Sequence, residues 1–221
     1  MCHRPAHIPI DAASFSVRAN RTRYLAAHFG RFLGGSVLDV GCDMGLLRDM
    51  LPPGLSYTGV DIGGNPDIRL NLEEIEALPF GDEAFDVVAC TDVLEHLDNL
   101  HFIFSELVRV SGRYLIISLP NNWTAARRPI ARGSGQIGHY GLPLHPPADR
   151  HKWFFNLSEA KAFLEGQAEL LSLSIVEMHI TEKPRPPVVR GLLRLFAGSR
   201  ERYLNRYAHT LWAVLEKPRK G

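Results

Sequence analysis

Cysteine is scarce in this 221-residue chain: Cys2, Cys42 and Cys90 are too widely spaced for a zinc-type motif or a disulfide framework. That excludes a small disulfide-stapled fold and suits a reducing compartment. No run of about 18 consecutive apolar residues occurs, so no transmembrane helix is expected. The opening MCHRPAHIPID lacks the apolar centre of a secretory signal, and with the cysteine usage it predicts a cytoplasmic protein. There is no internal repeat and no low-complexity tract. No clustered cysteines occur, and no metal is expected. Net charge is nearly absent as well, at +1, which excludes a uniformly basic nucleic-acid binder.

What is present is a globular composition, 45% hydrophobic and 22% charged, long enough to bury one full core. The small net charge is a cancellation. Residues 1–120 carry 9 Lys and Arg against 16 Asp and Glu, whereas residues 121–221 carry 16 against 8. The two halves should therefore present different surfaces.

A helical N-terminal segment is predicted over 11–33, with Tyr24, Leu25, Phe29 and Phe32 on one face. Apolar strands are expected at 36–40, 55–61, 68–72, 84–91 and 114–119, with helices at 46–51 and 97–110 between them. Strands that are apolar throughout and alternate with helices imply a parallel sheet covered on both faces. Residues 121–155 show no clear periodicity and read as a functional insertion. A helix at 157–165, a strand at 171–181, a basic amphipathic helical insertion over 184–206 and a last strand at 207–216 complete a single domain spanning 1–221.

The strongest motif is VLDVGCDMG (37–45), followed by Asp61 at the end of the next strand. Gly41 and Gly45 let the backbone turn sharply and approach a ligand at the carboxyl ends of the strands. An acidic strand end accepts hydrogen bonds from ribose hydroxyls. The third glycine of a dinucleotide fingerprint is missing, and a carboxylate stands two residues before the first glycine. That pattern suits a ligand with a positive group and no pyrophosphate.

Residues 37–120 resemble the class I S-adenosylmethionine-dependent methyltransferases of the type 11 group. VLDVGCDMG resembles their first motif, YTGVDIG (57–63) their second, and NLEEIEALPFGDEAFDVVACTDVLEHL (71–97) the run through their third and fourth. The resemblance implies a doubly wound, mostly parallel seven-stranded sheet with a final antiparallel strand. It implies S-adenosylmethionine as cofactor. Asp39, Gly41, Cys42 and Gly45 would line its methionine part, Asp61 and Ile62 its ribose and adenine, Asn71 and Leu72 the adenine edge, and Thr91 the methionine amine. Asp43 and Asn71 depart from the family's usual Gly and Asp; a side chain at 43 would either crowd the cofactor or contact its ammonium.

Methyl transfer from a sulfonium is an in-line displacement, so alignment and exclusion of water dominate, and a base is needed only for a poor nucleophile such as a hydroxyl. Asp92, Glu95 and His96 in TDVLEHL lie just beyond the fourth predicted strand and are the first candidates. The insertion adds Arg127, Arg128, Arg132, His139, Tyr140, His145, Arg150, His151 and Lys152, then Trp153 and Phe154. His96, His139 and His151 are the candidate catalytic groups, and Tyr140, Arg150 and Trp153 the candidate acceptor contacts. The expected function is methyl transfer to an unidentified small-molecule acceptor, anionic or lipid-linked.

The segment PVVRGLLRLF (187–196) combines six apolar residues with two arginines, and residues 187–198 are a candidate peripheral membrane contact. No nucleic-acid partner is expected. Residues 103–158 also resemble, more loosely, the MetW-type proteins of methionine biosynthesis. Under that alternative the chain would serve an acyltransferase as a protein partner.

Overall fold

The computed structural model describes residues 8–145, 147 and 149–218. One eight-stranded sheet forms the frame: β1 (Ile10–Ala12), β2 (Ser36–Val40), β3 (Ser56–Asp61), β4 (Ile68–Arg69), β5 (Phe85–Thr91), β6 (Ser111–Pro120), β7 (Ser174–Glu182) and β8 (Ala208–Glu216). Six helices accompany it: α1 (Arg18–Phe29), α2 (Leu100–Val110), α3 (Trp123–Arg132), α4 (Leu157–Leu170), α5 (Pro187–Ala197) and α6 (Arg200–Tyr207). The spatial order is β1-β7-β8-β6-β5-β2-β3-β4. Among the described residues only β8 runs antiparallel, to β6 on one side and β7 on the other.

The centre of the sheet reads directly from residue type. Val37, Leu38 and Val40 of β2 and Val87, Val88, Ala89 and Cys90 of β5 are all buried, as strands covered on both faces require. Asp86, the outward residue of β5, accepts from Ser36 N and Oγ, both at 2.8 Å, while Ser36 Oγ accepts from Asp86 N at 2.9 Å. That exchange fixes where β2 and β5 begin. Helices α2 and α4 cover one face, with Ile103, Phe104, Leu107 and Leu164 in the larger core cluster. Helix α1 covers the other, where Phe15, Tyr24 and Phe29 ring the fully buried Trp212.

Four expectations are corrected. The sheet has eight strands, because Ile10–Ala12 pairs in parallel with the edge of β7 instead of opening a helix at Asp11; α1 starts at Arg18. Residues 46–51 hold only a 3-10 turn at Arg48–Met50, since Gly45 and Pro52 leave too few residues for a stable α-helix. The insertion begins with α3, whose helical pattern is masked by the internal Pro129 and ends at Gly133 with φ of 65°. Helix α4 runs past Glu165 to Leu170, from a capping box in which Asn156 and Glu159 satisfy each other's backbone N–H.

Candidate active site

The chain winds from β2 outward through β3 to β4, then crosses back to β5 on the other side of β2. Open α/β sheets bind ligands at such a switch point, outside the carboxyl ends of the strands. Asp39, Asp61 and Thr91 lie at or next to the carboxyl ends of β2, β3 and β5. Gly41 takes φ of 80°, and a Cβ there would fall 2.2 Å from Val93 Cγ2, so this turn is reserved for glycine. Gly45, with φ of 67°, closes the loop through its N–H to Cys42 O at 2.8 Å.

Asp43 sits in the left-handed region at φ of 50°, which explains why glycine is the usual choice and why aspartate is tolerated. Its N–H donates to Asp61 Oδ2 at 2.8 Å and its carbonyl accepts from Asn65 N at 2.7 Å. Its carboxylate lies 3.4 Å from Arg18 Nη1, so the side chain is engaged by α1. Asp61 Oδ1 also accepts from Gly63 N at 2.8 Å, making Asp61 the brace between the two loops.

Asp39 is buried, with the Tyr57 hydroxyl donating to Oδ2 at 2.9 Å. Burial pushes its carboxyl up to about 6, and the Asp61 charge adds to the rise. A buried carboxylate beside a glycine-only turn fits the positive methionine end of S-adenosylmethionine. Burial also raises the Cys42 thiol to about 12, which leaves it a small neutral packing residue. Ile62 is exposed, whereas Leu72 packs its side chain into the core and offers only backbone to a ligand. Asn71 Oδ1 accepts from Glu73 N at 3.1 Å.

The second half of the site is a cluster that the sequence separates by more than 50 positions. The turn after β5 carries Glu95 and His96, and the end of the insertion folds onto it: Lys152 N donates to Glu95 O at 2.8 Å. His96 Nδ1 lies 3.1 Å from Asp149 Oδ1 and 3.2 Å from Arg150 O. The ring centres of His96 and His151 are 4.5 Å apart, and His139 stacks on His151 at 4.4 Å. His151 Nδ1 faces the Asn122 amide nitrogen at 2.8 Å and the Tyr140 hydroxyl at 3.2 Å. His96, His139, His151 and Tyr140 are thus brought together. Arg150 joins through its carbonyl only, and its side chain is exposed. Trp153 is pinned by its indole N–H to Leu97 O at 2.7 Å.

Glu95 is 1% exposed, and its Oε2 has no hydrogen-bond partner among the described residues. Burial and the neighbouring Asp92 charge hold its carboxyl well above the usual range. Asp92 is already committed, accepting from Ser118 Oγ at 2.6 Å and pairing with Arg21. Burial, with the charges of His96 and His139, depresses His151 to about 3, so its ring is neutral at pH 7. Two groups, Glu95–His96–His151 and His139–Asp149–His151, each place their donor atoms within 4.8 Å of one another. Such a set can take a proton from a hydroxyl or hold a divalent cation. No sequence spacing predicts it, because Asp149 and Asn122 carry no motif of their own.

A doubly wound sheet with this glycine turn and acidic strand ends defines an S-adenosylmethionine-dependent methyltransferase, whose cofactor supplies an electrophilic methyl on a sulfonium. Residues 16–167 match the family model described as a methyltransferase domain, and the chain belongs to that family. It is 28% identical over 181 residues to the ubiquinone biosynthesis O-methyltransferase of Photobacterium profundum, covering 72% of this chain and 73% of that protein. It is 31% identical over 123 residues to the enzyme of the same name from Cronobacter sakazakii, covering 46% of this chain and 49% of that protein. The chain thus spans about half the length of the second relative. Among solved structures, the small RNA methyltransferase HEN1 superposes with a TM-score of 0.58 at 20% identity, over 98% of this chain and 27% of that one. A SAM-dependent methyltransferase from Archaeoglobus fulgidus gives 0.52 at 17%, over 91% and 95%. These structural likenesses show the fold. Nothing in the matches supports the MetW-type alternative.

Proposed function

We propose that the chain transfers the methyl group of S-adenosylmethionine to an oxygen of a small, lipid-linked acceptor held at the cluster of Glu95, His96, His139, Asp149 and His151. The observation that carries this reading is the cluster's place, where the insertion folds onto the turn that leaves β5 beside the glycine loop of β2. In this reading Asp39, Gly41, Cys42 and Gly45 cradle the methionine end of the cofactor and Thr91 meets its amine. Asp61 and Ile62 hold ribose and adenine, with Asn71 and the Leu72 backbone at the adenine edge. His96, whose Nδ1 lies beside Asp149 and whose ring packs on neutral His151, accepts the proton that an acceptor hydroxyl loses on methylation. Tyr140 and Trp153 wall the acceptor side, and the relatives' naming as O-methyltransferases of ubiquinone biosynthesis supports that acceptor class.

The test is transfer of labelled methyl from the cofactor into a cell extract split into lipid and aqueous fractions. The reading predicts a labelled methyl ether in the lipid fraction. Label on nitrogen or carbon, or confined to the aqueous fraction, would contradict it.

The unpartnered Glu95 Oε2 and the two donor sets favour a second role for the cluster, as holder of a divalent cation that polarises the acceptor oxygen. Calorimetry with manganese and zinc is then expected to show one site that Glu95→Gln removes, and a chelator to suppress turnover. Full activity after chelation would leave the histidines acting alone as bases.

A further inference from the structure

Helix α5 is packed inside out. Val188, Leu192, Leu195 and Phe196 share one arc at helical period and are 74%, 50%, 73% and 78% exposed. The opposite arc faces the protein: Arg190 Nε is 2.5 Å from Oε1 of the buried Glu182, Arg194 lies over the Tyr203 ring, and Ala197 is buried. A helix that serves only its own core turns the apolar arc inward. Here two arginine contacts, with Leu193 and Ala197 against the core, anchor the helix, and the apolar ridge is left outside.

The ridge stands at the edge that carries the site. β6 and β7 both run opposite to β8, so the chain leaves β7 for α5 at the same edge where it leaves β6 for α3. Both helices pack on α6, and α3 adds the exposed Ile130 and Trp123. Charge selects the occupant. Residues 183–206 hold seven Lys and Arg against one acidic residue. Lys183, Arg200, Arg202 and Arg206 are exposed, as are Arg128 and Arg132 of α3. A second copy of the chain would set like charge against like charge. An anionic lipid surface satisfies the cations and covers the ridge together.

We propose that α5 docks on the anionic surface of a lipid bilayer, seating Val188, Leu192, Leu195 and Phe196 among the acyl chains with the surrounding cations at the headgroups. The docked helix turns the carboxyl edge of the sheet toward the membrane. This stands apart from the proposed chemistry and holds whichever acceptor is methylated.

Flotation of the full chain with vesicles tests it. Vesicles of equal phosphatidylcholine and phosphatidylglycerol are expected to carry the chain, pure phosphatidylcholine to carry far less, and added salt to weaken the binding. The double substitution Leu195→Ser with Phe196→Ser should lower binding by about ten-fold or more at an unchanged thermal midpoint. Three results would overturn the proposal: no flotation of the intact chain on anionic vesicles, undiminished flotation of the double variant, or a dimer in light scattering that the same variant abolishes.

Discussion

Burial that raises the Asp39 carboxyl to about 6 ties the fold to pH. Its folded value lies above the ordinary one of 3.8, so its stabilising contribution is full below that value and is lost as pH rises through about 6. The loss amounts to at most about 3 kcal/mol. Thermal midpoints of the cofactor-free chain should therefore fall between about pH 4 and pH 6.5 on this group's account, and Asp39→Asn should flatten the fall. The positive end of the cofactor favours ionised Asp39, so the midpoint gained on adding S-adenosylmethionine should be larger at neutral pH than near pH 5. An equal gain at both would remove Asp39 from the methionine site. Residues in this half were legible in the sequence because a turn and a strand end are local: Asp39, Gly41 and Asp61 lie within one βαβ-like unit. Asp149 and Asn122 were not, since only the folding of the insertion onto the β5 turn gives them neighbours.

Among the elements, β2, β5 and β6 were legible because central strands must be apolar on both faces. β1 was not, because three residues form a strand only against an edge supplied by β7, far along the chain. The outward ridge of α5 was legible only in part: the pattern of 187–198 predicts an amphipathic helix with a candidate membrane contact, and only packing decides which arc faces out. Helix α4 shows how an element's end serves its neighbour. Its capping box closes the first turn, where Ser158 Oγ donates to Glu201 Oε1 at 3.0 Å and Ser158 N to Asn205 Oδ1 at 3.0 Å, both on α6. Asn156→Ala is expected to cost about 1–2 kcal/mol in urea unfolding, with cofactor affinity unchanged. A loss of cofactor affinity would mean that α4 reaches the site.

Over the whole molecule, the cancelled charge resolves into a spatial division. The acidic half contains the glycine loop and strand ends of the cofactor site, and the basic half contains the insertion and the α3, α5 and α6 helices. No helix among the described residues is long and apolar enough to cross a membrane, and the proposed lipid contact rests instead on the exposed ridge of α5. The proposed division of labour separates cofactor binding from handling of the acceptor, and His96 belongs only to the second. The most direct test measures cofactor affinity and labelled-methyl transfer to the lipid fraction on the same preparations of the intact chain and His96→Ala. The account predicts transfer lowered by about a hundred-fold or more while cofactor affinity stays the same. Transfer undiminished in the variant, or lost together with cofactor affinity in a chain that still folds, would contradict it.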